Sequence, residues 1–284
     1  MKKSIIFSML VGAAMLVACN PIEDRDVMSG AITADQLKIS ATPVVKDGVK
    51  SNYIQLNSEG NACLSSWDYG FGTLAGTKGT VKVMMAGDNE IVYSGMNTDG
   101  TIIKKTITVH VDKLYDVEPE WALFCGTTTG KKTWVWAKDN KYSGAHWVWG
   151  NGGALADLAP AWWGRSEADA SGDNIDINGT MTFDLHGASF TKVESGVTSK
   201  GSFSFDMTKK QDPRFTNVIG MLTIKGTTIQ HGISQNDGKK VVNTFNIIKL
   251  TNDEMILMYA TDGGLSGGWP EGWYWVFKRQ GYSY

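Results

Sequence analysis

The chain has 284 residues, 42% of them hydrophobic and 20% charged, a composition that excludes disorder, a coiled coil, a collagen and a multi-pass membrane protein. The formal charge of −2 offers no basic face for nucleic acid and suggests no polyanion partner. Thirty-three glycines and 11 tryptophans beside only 6 prolines describe a turn-rich β protein with a heavy aromatic load. Residues 1–18 set Lys2 and Lys3 before an apolar run that ends in small residues, the pattern of an export signal and short for a spanning helix. Its removal leaves 284 − 18 = 266 residues, enough for two domains of ordinary size, with 25 basic against 29 acidic side chains.

The run Leu16-Val17-Ala18-Cys19 resembles a bacterial lipobox, which implies acylation of Cys19 and a membrane attachment made by lipid alone. Asn20 stands where an aspartate would favour inner-membrane retention, and Glu23-Asp24-Arg25-Asp26 resembles the export signal of Bacteroidetes surface lipoproteins. Together these imply an outer-membrane location facing the cell exterior. Residues 19–36 read as lipid anchor and tether. With Cys19 modified, Cys63 and Cys125 remain, without CxxC or metal-ligand spacing, and read as buried free thiols.

From Leu37 the chain breaks into short β-type runs at 37–44, 52–57, 62–67, 80–86, 89–95 and 104–111, separated by turn pairs such as Asp47-Gly48 and Asp99-Gly100. Alternation is clearest over Thr106-Ile107-Thr108-Val109-His110-Val111. This spacing predicts a small β-sandwich over residues 37–113. Trp67-Asp68-Tyr69-Gly70-Phe71-Gly72 resembles the WDFGDG signature of PKD domains, with Phe71 in place of the usual acidic residue. The resemblance implies an immunoglobulin-like fold acting as a spacer.

Residues 114–284 hold 10 of the 11 tryptophans. Glu118 to Phe124 predicts one or two helical turns, stopped by Gly126. Strands are expected at 132–138, 145–150, 179–185, 188–194, 201–206, 218–224, 227–234, 241–250, 254–261 and 272–279. Such a strand-only domain is a sandwich or a closed barrel. The run from Leu123 through Trp134-Val135-Trp136, Gly144-Ala145-His146 and Trp162-Trp163 resembles the C-terminal module of lipoproteins encoded beside Bacteroidetes glycan-uptake systems, many of which carry a PKD-like domain before a carbohydrate-binding β-sandwich. The segment Phe245 to Leu257, followed by an aromatic strand, is similar to lipocalin-like domains of the same bacteria. The expected fold is therefore all-β, with a PKD-like sandwich before a larger jelly-roll-type sandwich; a lipocalin-like barrel is the alternative for the second domain.

Trp134 with Trp136, Trp147 with Trp149, and Trp273 with Trp275 are two apart, so each pair shares one strand face, as core or as a sugar platform. The turn tryptophans differ. Trp162-Trp163 follow Pro160, neighbours in sequence cannot both face one core, and Trp269 lies between Gly267-Gly268 and Pro270. Sugar rings need an indole face with planar polar groups beside it, so Arg165, Glu167, Asp169, His146 and Glu271 join these tryptophans as candidate ligand-binding residues. Asn174 to Gly179 begins like a calcium loop, but Leu185 replaces the glutamate an EF-hand requires at its twelfth position; a turn entering the strand at Thr180 and no cofactor are expected, with a calcium site of another kind as the alternative. Catalytic patterns fail on context. Gly264 to Gly268 matches GxSxG without a following helix, and Glu167-Ala168-Asp169 begins a laminarinase-type ExDxxE motif whose third acid is Gly172.

The expected function is non-catalytic capture of polysaccharide or oligosaccharide at the cell surface, beside an outer-membrane glycan importer complex, with no nucleic-acid partner. The rivals are an adhesive or structural protein contacting a protein partner, a hydrolase of unrecognised type, and a barrel carrying a small apolar ligand.

Overall fold

The computed structural model describes residues 30–142, 145–266 and 268–284; the export signal, the lipidation candidate Cys19 and the tether as far as residue 29 lie outside the described residues. The first unit has seven strands: β1 (Ser40–Lys46), β2 (Val49–Asn57), β3 (Leu64–Asp68), β4 (Thr73–Ala75), β5 (Lys78–Lys82), β6 (Gly87–Met96) and β7 (Ile102–Val111). They form two antiparallel sheets, β1-β2-β5 and β4-β3-β6-β7. Both sheets contribute to one core, with Ile54, Leu56 and Val81 from the first and Trp67, Ile91 and Tyr93 from the second. Trp67 and Tyr93 are cross-strand partners that meet edge to face at 4.8 Å. Alternation in β7 holds as expected: Val109 and Val111 are buried while Thr106, Thr108 and His110 face solvent.

The second unit contains helix α1 (Glu120–Cys125), β8 (Lys131–Trp136), β9 (Trp149–Gly153), β10 (Trp163–Arg165), helix α2 (Glu167–Gly172), β11 (Thr180–Asp184), β12 (Ser189–Glu194) and β13 (Val197–Asp206). These are followed by β14 (Gly220–Lys225), the two-residue strands β15 (Ile233–Ser234) and β16 (Lys240–Val241), β17 (Thr244–Leu250), β18 (Glu254–Ala260) and β19 (Glu271–Arg279). The jelly roll expected here is not what forms. The sheet runs β19-β18-β17-β14-β13-β12-β11-β8 and closes where β19 pairs again with β8, giving an eight-stranded antiparallel barrel without a Greek-key crossing. This closed architecture fits the lipocalin-like alternative. The pattern of alternating strands is the same for both folds; what decides between them is that both edges of β19 find partners.

Eight strands enclose a space just wide enough for side chains, and here side chains fill it. Trp134, Trp136, Phe183, Phe245, Trp275 and Phe277 are fully buried in one cluster. The strand-face pairs Trp134/Trp136 and Trp273/Trp275 are thus core. The interior indoles also hold the ends of the barrel. Trp134 Nε1 donates to Phe124 O of α1 at 3.0 Å, whereas Trp136 Nε1 reaches Asp176 O at 3.0 Å and Trp275 Nε1 reaches His231 O at 2.9 Å, both on loops at the opposite mouth. A second apolar cluster packs loops against the outside of β17–β19, with Phe215 and Val218 over Ile256, Met258 and Tyr274, so these strands are buried on both faces.

The first unit docks on the α1 end. Phe71 meets Trp121 of α1 edge to face at 5.0 Å, and Trp121 in turn packs on Phe205 at 4.8 Å. Met84 belongs to the barrel's core cluster. The chain enters at the other pole of this unit, where the Asn97 side-chain amide bonds both ways with the Ile32 backbone, at 3.0 and 3.3 Å. The ten residues of β6, roughly 33 Å of extended chain, separate Asn97 from the docking face. The Asn97 pole and the barrel mouth therefore each lie at the end of their own unit away from the docking face.

Candidate functional site

The barrel wall is extended on one side into a lip. Phe277 to Arg279 of β19 pair with β8, but Glu271 to Trp275, nearer the mouth, pair with β9, and β9 pairs with β10. Glycines make this three-stranded lip possible. Gly150 and Gly164 stand opposite each other, and a Cβ on Gly164 would lie 2.5 Å from the Trp147 indole. Trp162 lies over Gly153, 3.3 Å from where its Cβ would be.

Register places Trp163, Asn151 and Trp273 side by side across the three strands, with Arg165, Trp149 and Trp275 in the next row. Trp149 stacks on Trp273 at 4.7 Å, and Trp163 meets both edge-on at 5.8 and 6.1 Å. The Arg165 guanidinium sits over the Trp163 ring at 4.1 Å and is paired with Asp173. Glu271 accepts from the side-chain amides of Asn151 at 2.5 Å and Asn236 at 2.8 Å. Trp163, Trp149, Arg165, Asp173, His231, Gln235 and Lys239 line a cleft of about 400 Å³ at the barrel mouth.

His231 forms the floor of this cleft. Its backbone is left-handed, at φ 47°, and is held from both sides: its N–H donates to Glu194 at 2.7 Å and its carbonyl accepts from Trp275. The ring meets Trp149 edge-on at 4.6 Å. Burial pushes its pKa below the ordinary value, against the pull of Glu194 and Asp173, so the imidazole is neutral at pH 7. His231 Nε2, the indole N–H groups of Trp149 and Trp273, and Asn151 Oδ1 have no hydrogen-bond partner within the chain. All four atoms are buried, where unpaired polar groups are costly.

The candidates separate into two groups. Trp162, Trp163, Arg165 and Glu271 come together on the lip, and Trp269 stands on the loop entering β19, where Pro270 O accepts from Ala154 N beyond the end of β9. Trp162, Trp163 and Trp269 are 50%, 38% and 84% exposed. The others serve local structure. Glu167 pairs with Lys138 at 2.7 Å, Asp169 completes the capping box of α2 with Ser166, and exposed His146 bonds through Nδ1 to Asn140 O at 2.5 Å. The calcium-like segment is also committed internally: Asp176 accepts from Ser195 N and Asn178 N, and Asn178 Oδ1 from Lys138 Nζ. Among the described residues no group of three or more His, Cys, Asp or Glu side chains is arranged to hold a metal ion.

Comparison of the chain with known protein families and with curated proteins returned no match. Sequence reasoning missed Asn151, Asp173, His231, Gln235 and Lys239. His231 falls in a stretch expected to be a strand at 227–234, Gln235 and Lys239 fall between that strand and the one expected at 241–250, and the left-handed backbone at His231 and Lys239 leaves no trace in residue type. Trp149 was legible as a strand-face aromatic but not as the wall of a cleft.

Proposed function

We propose that this protein is a non-catalytic glycan-binding lipoprotein of the cell surface, which captures oligosaccharide or polysaccharide at the mouth of its barrel. The observation that carries the reading is the lip itself: exposed Trp163 lines a cleft that offers an arginine–aspartate pair, a lysine, a glutamine and a neutral histidine, with exposed Trp162 next to it in the chain and Trp269 on the loop that enters β19. Indole faces suit the apolar C–H faces of sugar rings, and planar polar groups suit their hydroxyls. The filled barrel interior favours a ligand at the rim over a small apolar ligand inside. Glu167 and Asp169, the carboxylates that began a hydrolase motif, are spent on an ion pair and a helix cap, which supports binding without cleavage.

The rest of the chain suits this role. Acylated at Cys19, the protein would meet the outer membrane at the pole of Ile32 and Asn97, with the lip at the end of the second unit away from the docking face. The first unit, immunoglobulin-like and PKD-like in this reading, is the spacer that presents the mouth to polysaccharide near an importer complex. Affinity per site falls between roughly micromolar and millimolar, because each ligand hydroxyl exchanges water bonds for protein bonds nearly one for one.

The test is affinity electrophoresis of a soluble form beginning at Asn20 through gels cast with plant, host and microbial polysaccharides, with reducing-end release assayed in parallel. Retardation by one glycan without release, lost in Trp163→Ala, supports the reading. Retardation that persists in Trp162→Ala, Trp163→Ala and Trp269→Ala alike places the site elsewhere, and release of sugar would make the protein a hydrolase.

A further inference from the structure

A second cleft, of about 520 Å³, opens beside the tryptophan cleft. Its walls include Asp176, Lys192, Glu194, Ser199 and Thr228, and it shares Ile175, His231 and Ile233 with the first. The shared residues are a boundary that both clefts touch, so the two are neighbouring compartments of one depression across the barrel mouth. Each compartment has a volume in the range of a small-molecule site and its own set of polar groups.

The charges have a distinctive arrangement. Arg165 is paired with Asp173 in the first compartment, and in the second Lys192, buried, is paired with Glu194 at 2.6 Å. Lys239 lines the first and Asp176 the second, so the lining holds three cations and three anions beside a neutral histidine. Such a surface has many oriented dipoles and no net charge. It rewards hydroxyls, which donate and accept, and gives no advantage to a carboxylate or sulfate. Glu194 ties the compartments together: one oxygen holds Lys192 on the second wall while the other holds the His231 N–H at the boundary.

Building on the glycan reading, we propose that the two clefts form one groove for consecutive residues of an uncharged oligosaccharide, with one ring on the Trp163 side of His231 and the next on the Ser199 side. Affinity then depends on chain length, and binding is insensitive to ionic strength.

The experiment uses the soluble form beginning at Asn20. Affinity gels are cast with neutral glycans (xyloglucan, mixed-linkage β-glucan, galactomannan, starch) and with anionic ones (polygalacturonate, alginate, chondroitin sulfate). A size ladder from partial acid hydrolysis of the retarding glycan is then titrated by calorimetry. The expected result is retardation by a neutral glycan, unchanged between 50 and 500 mM salt, with affinity rising at least about tenfold from the monosaccharide to the trisaccharide. Ser199→Trp, which fills the second compartment, removes that gain. Val197→Trp, at an exposed position on the same wall, is the second variant should Ser199→Trp fail to fold. A monosaccharide that binds as tightly as the trisaccharide, or a Ser199→Trp variant with an unchanged length dependence, overturns the extended groove and leaves the glycan reading standing. Retardation by anionic glycans alone overturns the neutral groove. No retardation by any of them overturns both readings.

Discussion

The lip geometry rests on a contact that a single methyl group would destroy. A Cβ on Gly150 would stand 2.2 Å from Trp163 O, 2.5 Å from Gly164 Cα and 3.0 Å from the Pro160 ring. Real Cβ contacts essentially never fall below 3.0 Å, so Gly150→Ala must drive β10 away from β9 by at least 3.0 − 2.2 = 0.8 Å. The obstructing atoms are backbone and cannot rotate aside. Over-packing of this kind costs about 1–3 kcal/mol, or roughly 2–12 °C in Tm at 2–4 °C per kcal/mol for a protein of this size. The displaced strand carries Trp163 and Arg165, so the variant stays folded while glycan retardation weakens. Urea denaturation measures the first effect, and near-ultraviolet circular dichroism reports the disturbed Trp149–Trp163–Trp273 cluster. Gly172→Ala is the control, because nothing lies within 4 Å of its Cβ position. If Gly150→Ala matches the control in both midpoint and spectrum, the close approach of β9 and β10 is not what shapes the lip.

Lys132, only 8% exposed, lies beside α1 with its ammonium on Leu123 O and Asn252 O, and burial lowers its pKa from 10.5 to about 8. The unfolded chain therefore holds a proton that the folded one sheds, so stability rises between pH 8 and 10.5, by up to about 3 kcal/mol. Lys132→Met should be flatter than wild type across that window in urea titrations; equal slopes would refute the assignment. His231 titrates in the same sense: its pKa is depressed, so its contribution is present above pH 6.5 and lost as the pH falls from there toward the folded value, where the unfolded chain binds a proton that the fold does not. His231→Asn, which tolerates the left-handed backbone, should lessen the acid-side loss of stability, and an unchanged acid limb would count against a neutral buried imidazole. Phe71→Asp removes the edge-to-face contact with Trp121, about 0.5–1.5 kcal/mol before lost burial is added. Small-angle scattering should then report a larger radius of gyration as the two units separate, and an unchanged radius would show that Phe71 does not hold them.

Much of the fold was readable from residue pattern because a strand's period of two shows directly in sequence, as in Ile107, Val109 and Val111 against Thr106, Thr108 and His110. Pairing is another matter. The same alternation serves a jelly roll or a barrel, and the closing contact, Phe277 opposite Trp136, joins strands about 140 residues apart. The site was half legible for a similar reason. Trp162, Trp163 and Trp269 could be singled out because bulky aromatics in turn sequences have no core to enter, and all three are exposed. Glu167, Asp169 and His146 were chosen for being near them in sequence, and a helix cap, an ion pair and a backbone contact account for them. Asp173, His231 and Lys239 reach the cleft through loop conformations that no local pattern encodes.

The filled interior bears on binding as well as on fold. A barrel that carries ligand inside leaves its centre open, whereas here Trp134, Trp136 and Trp275 occupy it and use their N–H groups to hold both ends. Trp136 and Trp275 fix the two mouth loops, those of Asp176 and His231, that supply the cleft walls. A site whose ligand gains little net energy per hydroxyl tolerates little loss to loop ordering, at about 0.5–1.5 kcal/mol for each side chain immobilised on binding. Interior indoles that order these loops on folding shift that cost from the binding step to the folding step. On this argument Trp275→Phe, which keeps the ring and loses the bond to His231 O, would leave the barrel folded and weaken glycan binding through a larger entropic penalty. Calorimetry of the retarding oligosaccharide would show it as a less favourable entropy at a similar enthalpy. A loss carried by enthalpy alone would mean that the indole acts on the ligand through the cleft wall and not through loop order.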